Sequence, residues 1–256
     1  HSAICIDRAT DFIKHCTDDG QTFLAFIWLH APHLPVVASA DDRAPYAEFD
    51  VRTRNYCGCV AALDREVGRL RRVLAETGVA ENTLLWFCSD TGPEGQADNA
   101  PGSAGPFRGR KRSLYEGGVR VPAVVVWPAR VAAGRTTEVP AVTSDILPTV
   151  RGILGEEAGL PDRMEVDGEN LLALLSDEPW QRARPIGFQT AQQVAWNGPQ
   201  FKLVGDRKAN TFELYNIVAD PGETKDVSAQ HADIVASMQS DLSAWLVLCA
   251  ADVADP

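Results

Sequence analysis

No apolar run in this 256-residue chain comes near the roughly 20 residues that cross a bilayer as a helix. The longest, Phe23 to Leu29, has the length of a buried strand, so no membrane span is expected. Cysteine is sparse: Cys5, Cys16, Cys57, Cys59, Cys88 and Cys249 are too few and too scattered for a disulfide scaffold. Cys57 and Cys59 lie two apart on a predicted helix, point to different sides and make a poor metal pair; most of the six read as small buried residues. Positive charge is also short. With 24 Lys and Arg against 35 Asp and Glu, the formal charge is -11, which argues against a nucleic-acid partner. His1-Ser2-Ala3-Ile4 lacks both an initiating Met and the basic-then-apolar layout of a signal peptide, so the chain reads as an excerpt. No internal repeat is evident. A composition of 45% hydrophobic and 23% charged residues suits one sizeable core plus a smaller unit.

Against this background stands the stretch Ser89 to Pro122. It holds seven glycines, four cations within five residues (Arg108, Arg110, Lys111, Arg112) and the turn Glu116-Gly117-Gly118. Loops this long between strands are functional or disordered more often than not, although Arg/Lys clusters are mostly solvated surface. Apolar runs flank it, Thr83 to Cys88 before and Ala123 to Trp127 after.

The pattern along the chain places that loop. Ile4, Ala9, Phe12 and Ile13 predict a surface helix over Ile4 to His15, stopped by Asp18-Asp19-Gly20. Thr22 to Leu29 reads as a strand buried on both faces, the habit of parallel sheets, and delivers His30 and His33 at its carboxyl end. Tyr56, Val60, Leu63, Val67, Leu70 and Leu74 form one apolar stripe on a long helix ended by Gly78. Strand, helix and the strand Thr83 to Cys88 make a βαβ unit with parallel strands. His33 and Asp90 would then share the carboxyl edge where open α/β sheets bind ligands. The loop is expected to stay at that edge with Lys111, and Pro122 to Trp127 to return antiparallel. Val142 to Leu154 reads as a helix capped by Ser144 or Asp145, with Pro148 in its first turn. Gly155 to Gly168 reads as loop and Glu169 to Leu175 as a short helix. From about Trp180 four short strands follow (Pro185 to Thr190, Gln193 to Trp196, Phe201 to Val204, Thr211 to Tyr215), with a hairpin signal at Asn197-Gly198. A last helix over Ala229 to Leu248 carries Ile234, Met238, Leu242 and Trp245 on its apolar face. The fold class is α/β, a mostly parallel sheet between helices over residues 1–178, plus an antiparallel α+β subdomain over 179–256.

Asp90, the histidines and Lys111 form a chemical set. A strand-end carboxylate suits a hard cation such as Ca²⁺, His exchanges protons near neutral pH, and Lys binds an anionic oxygen as a point charge. Together they suggest metal-assisted hydrolysis of an anionic ester.

The segments LHAPHLP, AALDREVGRLRRVLAETGVAENTLLWFCSDTGP, GSAGPFRGRKRSLYEGGVRVPAVVVWPARV, SDILPTVRGILG, DGENLLALL and FELYNIVADPGETKDVS, in this order, resemble the middle and carboxyl-terminal parts of type I, formylglycine-dependent sulfatases of the alkaline-phosphatase superfamily. The nearest flavour is that of bacterial proteins resembling N-acetylgalactosamine-6-sulfatase. The resemblance implies a partial alkaline-phosphatase-like domain over residues 1–178 and hydrolysis of sulfate esters of carbohydrates. It implies that Asp90 and Thr91 are Ca²⁺ ligands, that Lys111 and Arg110 contact the sulfate, and that His33 binds sulfate and assists the leaving oxygen. A periplasmic or secreted location follows from it as well. Oligomeric state does not.

Two departures from the family pattern bear on activity. Thr91 stands where the family carries Asn, and its hydroxyl is a poorer ligand for a hard cation. None of the six cysteines lies in the C-x-P-S-R context from which the formylglycine nucleophile is made. The chain alone is therefore expected to show no appreciable turnover. Two alternatives stay open: a phosphoesterase or phosphonate hydrolase of the same superfamily, and a non-catalytic remnant that binds sulfated polysaccharide.

Overall fold

The computed structural model describes residues 1–95, 100–155 and 166–254. Most of the loop expected over Gly155 to Gly168, and residues 96–99 of the glycine-rich stretch, lie outside them. The chain divides into two units. The first comprises His1–Cys88, Glu94–Ser103 and Ala123–Ala133; the second comprises Ser89–Pro93, Ala104–Pro122 and Gly134–Pro256.

In the first unit, helix α1 (Ser2–Asp18) is followed by a single turn, α2 (Ala40–Arg43), and by the long α3 (Val51–Glu76). Asp50 caps α3 by accepting from the amides of Arg52 and Thr53. At the other end Gly78, at φ +76°, turns the chain out. Helix α1 is the expected surface helix with Ile13 inward, but Ile4 and Phe12 are not on its buried face. Those two are exposed, while Ile6, Thr10, Ile13 and Cys16 form its buried face. Ile6 and Ile13 meet Leu70 and Leu74 of α3 in the core of this unit. Arg69 secures the pair from the rim, with Asp7 at 2.6 Å and the Ala3 carbonyl at 2.9 Å. Strands β1 (Leu85–Cys88) and β2 (Ala123–Val126) pair antiparallel, Leu85 opposite Val126 and Cys88 opposite Ala123, as the return of the loop required.

The run Thr22 to Leu29 departs from expectation. It carries no strand, and its backbone forms no backbone hydrogen bond among the described residues. Phe23, Ile27 and Leu29 pack on the core, but Leu24, Phe26 and Trp28 are 59%, 63% and 87% exposed. The expected parallel pairing with β1 is therefore not formed among the described residues. A strand buried on both faces needs a neighbour along each edge and cover on each face; this run has cover on one face only. Of the six cysteines, Cys16 and Cys59 are buried, and none forms a disulfide.

In the second unit, the one-turn helix α4 (Glu116–Val119) is followed by α5 (Ile146–Leu154) and α6 (Leu172–Leu175). Asp145 opens α5 fully buried. It accepts from the amides of Val142 (2.8 Å) and Glu169 (2.7 Å) and pairs with Arg182. Four strands then follow, β3 (Ile186–Gln189), β4 (Gln193–Asn197), β5 (Phe201–Asp206) and β6 (Thr211–Asn216), antiparallel in sequence order, and the chain closes on helix α7 (Ala232–Ala254). Strand alternation sorts their side chains. Val194, Trp196, Leu203 and Leu214 meet Met238 and Leu242 of α7, with Ile234 and Trp245 at the margin. Ala195, Val204 and Tyr215 face the other way and are covered by Leu114, Tyr115 and Val119 of the glycine-rich loop. The basic loop is thus the second layer on this small sheet. No helix among the described residues is long and apolar enough to cross a membrane.

Candidate functional site

Asp90 follows β1 by two residues, and the chain from Ser89 to Pro93 lies against the 108–118 loop. The Gly92 amide donates to the Gly118 carbonyl (2.9 Å) and the Lys111 amide to the Pro93 carbonyl (3.1 Å). Such an approach demands glycine: a Cβ on Gly92 would stand 1.9 Å from the Gly117 carbonyl oxygen, and one on Gly118 would stand 2.0 Å from that of Ser113. Because the obstacle is backbone, Gly92→Ala is expected to cost about 1 to 3 kcal/mol of unfolding free energy in urea titrations.

The loop is fixed to the sheet at three consecutive residues. The Leu114 amide donates to Gln193 Oε1 (3.0 Å), the Tyr115 hydroxyl donates to the Glu213 carboxylate, and the Glu116 amide donates to Glu223 Oε2 (2.6 Å). Beneath them Lys202, fully buried, places Nζ 2.7 Å from Glu116 Oε1 and 3.1 Å from Glu223 Oε1. Burial pushes the Glu223 carboxyl up, against the pull of Lys202. Arg108 donates to the Tyr215 hydroxyl and stacks on Tyr115, 3.8 Å from the ring centre. It is a structural cation.

Burial, then the bond to Glu213, push the Tyr115 phenol up to about 12, and Tyr215 is raised by the same causes. An unfolded tyrosine ionises near 10. Stability from these protonated phenols is therefore fully present below about pH 10 and is lost as pH rises toward 12. Unfolding free energy measured against pH should fall across that window, and Tyr115→Phe should flatten the fall.

Of the residues singled out in the sequence, Asp90, Thr91, Arg110 and Lys111 are brought into this one unit. Asp90 is exposed, and Lys111 is half-buried. Neither the Asp90 carboxylate nor the Lys111 ammonium has a hydrogen-bond or ion-pair partner among the described residues. The Thr91 hydroxyl donates to the Gly92 carbonyl (3.2 Å). Arg110 is half-buried, and Arg112 adopts a left-handed φ of 75°. His33 belongs to the first unit. Its amide donates to the His30 carbonyl, its Nδ1 lies 2.8 Å from the Leu34 carbonyl, and its ring is exposed, 4.9 Å from that of His30. A carbonyl only accepts, so Nδ1 carries the hydrogen and Nε2 is the accepting nitrogen of the neutral ring.

The donors near the loop fit a hard cation in kind but not in number. Asp90 and Thr91 supply oxygens, whereas Ca²⁺ takes six to eight, and the described residues hold no group of three His, Cys, Asp or Glu able to bind a metal. Glu116 stands out in the sequence only as a turn residue, and Lys202 and Glu223 do not stand out at all. Alternation alone assigns Lys202, between Phe201 and Leu203, to a solvated face.

The family model described as Sulfatase matches residues 1–156. A "Sulfatase" from Formosa agariphila is 28% identical over 281 residues, 94% of this chain and 49% of that protein. Arylsulfatase G of Mus musculus is 33% identical over 179 residues, 66% of this chain and 33% of its own length. Among solved structures, that of Ps i-CgsB superposes with a TM-score of 0.85 at 27% identity, covering 95% of this chain and 54% of that one; it has also been solved in complex with k-i-k-neocarrahexaose. The chain thus spans about half the length of these proteins or less. With the family model matching more than half of its residues, the chain belongs to the sulfatase family.

Proposed function

We propose that this chain is the carboxyl-terminal share of a sulfuric ester hydrolase acting on sulfated carbohydrate, and that the nucleophile is supplied by polypeptide beyond it. The observation that carries the reading is Lys111. It is a half-buried lysine whose ammonium has no ion-pair partner among the described residues, held in a glycine-packed loop of sulfatase pattern. An unpaired ammonium on a fixed backbone can meet an anionic substrate oxygen as a point charge. In this reading Lys111 and Arg110 bind the sulfate, His33 binds it and protonates the leaving oxygen, and Asp90 and Thr91 contribute part of a Ca²⁺ ligand set. When bound, Ca²⁺ would add positive charge at the sulfate. Residues 1–178 form part of the catalytic α/β domain and residues 179–256 its carboxyl-terminal subdomain. The carbohydrate class is supported by the oligosaccharide bound to Ps i-CgsB, at 27% identity. Export to the periplasm or medium belongs to the same proposal, as the habit of the family.

The run Thr22 to Leu29 supports the need for further polypeptide. Backbone groups that pair with no other backbone group among the described residues, beside exposed Leu24, Phe26 and Trp28, make a template for strand addition. The reading is tested on the chain itself by titrating inorganic sulfate while following amide resonances. Saturable shifts centred on Lys111, and lost in Lys111→Ala, are expected. Shifts scattered over surface arginines, or none, would refute the assignment.

A further inference from the structure

The buried charges beneath the loop exceed what holding it down requires. Lys202, Glu116 and Glu223 come from strand β5, the start of α4 and the turn after β6, and all three side chains are 5% exposed or less. Arg120 stands 3.6 Å from Glu116 Oε2, so two cations balance two carboxylates. Well-packed apolar residues stabilise such a position as well as a buried ion pair or better. What ions add is direction. An apolar contact tolerates sliding, whereas Lys202 Nζ meets both carboxylates, and Glu223 Oε2 meets the Glu116 amide, in one register only.

That register is passed on through backbone. Beside Glu116, the Gly117 amide donates to the Arg108 carbonyl (2.7 Å), and the Gly118 carbonyl accepts from Gly92 (2.9 Å). One residue on, the Pro93 carbonyl accepts from the Lys111 amide (3.1 Å). We infer that Glu116, Lys202 and Glu223 are positioning residues. They hold α4, and through the Gly118–Gly92 and Pro93–Lys111 hydrogen bonds they set where Lys111 presents its charge to a sulfate. The last step rests on the proposed function; the positioning itself does not.

The test uses the full chain with Glu223→Gln, which keeps an oxygen for the Glu116 amide and removes the charge. Amide exchange at Gly92, Lys111 and Gly117 should rise about tenfold or more, while the β4–β5 ladder amides keep wild-type rates. The sulfate-induced shift at Lys111 should weaken by a similar factor. Tyr115→Phe, which cuts the bond to Glu213 and leaves the ion cluster alone, should change both readings several-fold less. Should Glu223→Gln fail to fold, Glu116→Gln, whose amide oxygen still accepts from Lys202, gives the same comparison. Uniform acceleration that includes the ladder, unfolding of both variants, or unaltered exchange in the loop would overturn the inference. If wild-type Lys111 ignores sulfate, the functional reading falls, and the exchange pattern still decides the positioning.

Discussion

Lys111→Ala, in a chain completed by a segment bearing the C-x-P-S-R nucleophile motif, lowers kcat for sulfate esters by about 10² to 10³-fold, the loss of one fixed charge at an anionic transition state. Its unfolding midpoint stays at the wild-type value. Both halves follow from the same observation: the ammonium has no ion-pair partner among the described residues, so its removal strands no buried charge. Lys111→Arg is not a rescue, because a planar guanidinium presents its donors in a different geometry from a compact ammonium. Arg108→Ala gives the opposite pattern. It loses the Tyr215 bond and the stack on Tyr115, so stability falls first. Steady-state kinetics beside thermal unfolding separates the two cations.

His33→Ala in the same completed chain lowers turnover by about 10² to 10⁴-fold for a sugar sulfate, the usual worth of a positioned general acid. The loss is much smaller for a nitrophenyl sulfate. A sugar alkoxide is a poor leaving group and needs the proton as the S–O bond breaks; a nitrophenolate leaves without it. The Nδ1 bond to the Leu34 carbonyl leaves Nε2 as the nitrogen that can carry that proton. Because the ring is exposed, its removal opens no core cavity, and folding is unchanged. Equal losses for both substrates would assign His33 to sulfate binding alone.

How much of this was legible depended on range along the chain. The small sheet and its helix could be read because their signals are local. Short alternating runs, the Asn197-Gly198 turn and the spacing of Met238 and Leu242 each speak within a few residues. The antiparallel return of β2 followed from the loop having too little apolar periodicity for a crossover helix. Thr22 to Leu29 misled because a continuous apolar run carries no period that tells a paired strand from one covered on a single face. Helix α1 was legible as a helix, but its buried face was not: Ile4 and Phe12 are as apolar as Ile6 and Ile13, so that face is chosen by contact with Leu70 and Leu74, not by composition. Lys202 was hidden for a related reason. Alternation puts it on the second face of the sheet, and only the fold reveals that the loop from 108 to 119 covers that face. Lys111 and His33, proposed to touch substrate, stand out as motif; Glu116, Lys202 and Glu223, proposed to position Lys111, do not.

In the proposed reading this chain carries the sulfate-binding share of a sulfatase, and a nucleophile-bearing segment completes it. That reading is tested most directly by joining the amino-terminal part of the Formosa agariphila relative to His1, verifying formylglycine by mass spectrometry, and assaying matched sulfate and phosphate esters with Ca²⁺ present. The account predicts sulfate-ester hydrolysis that is absent from the unjoined chain and exceeds phosphate-ester hydrolysis. A folded, formylglycine-bearing chimera with no sulfatase turnover, or with a preference for phosphate, would contradict it.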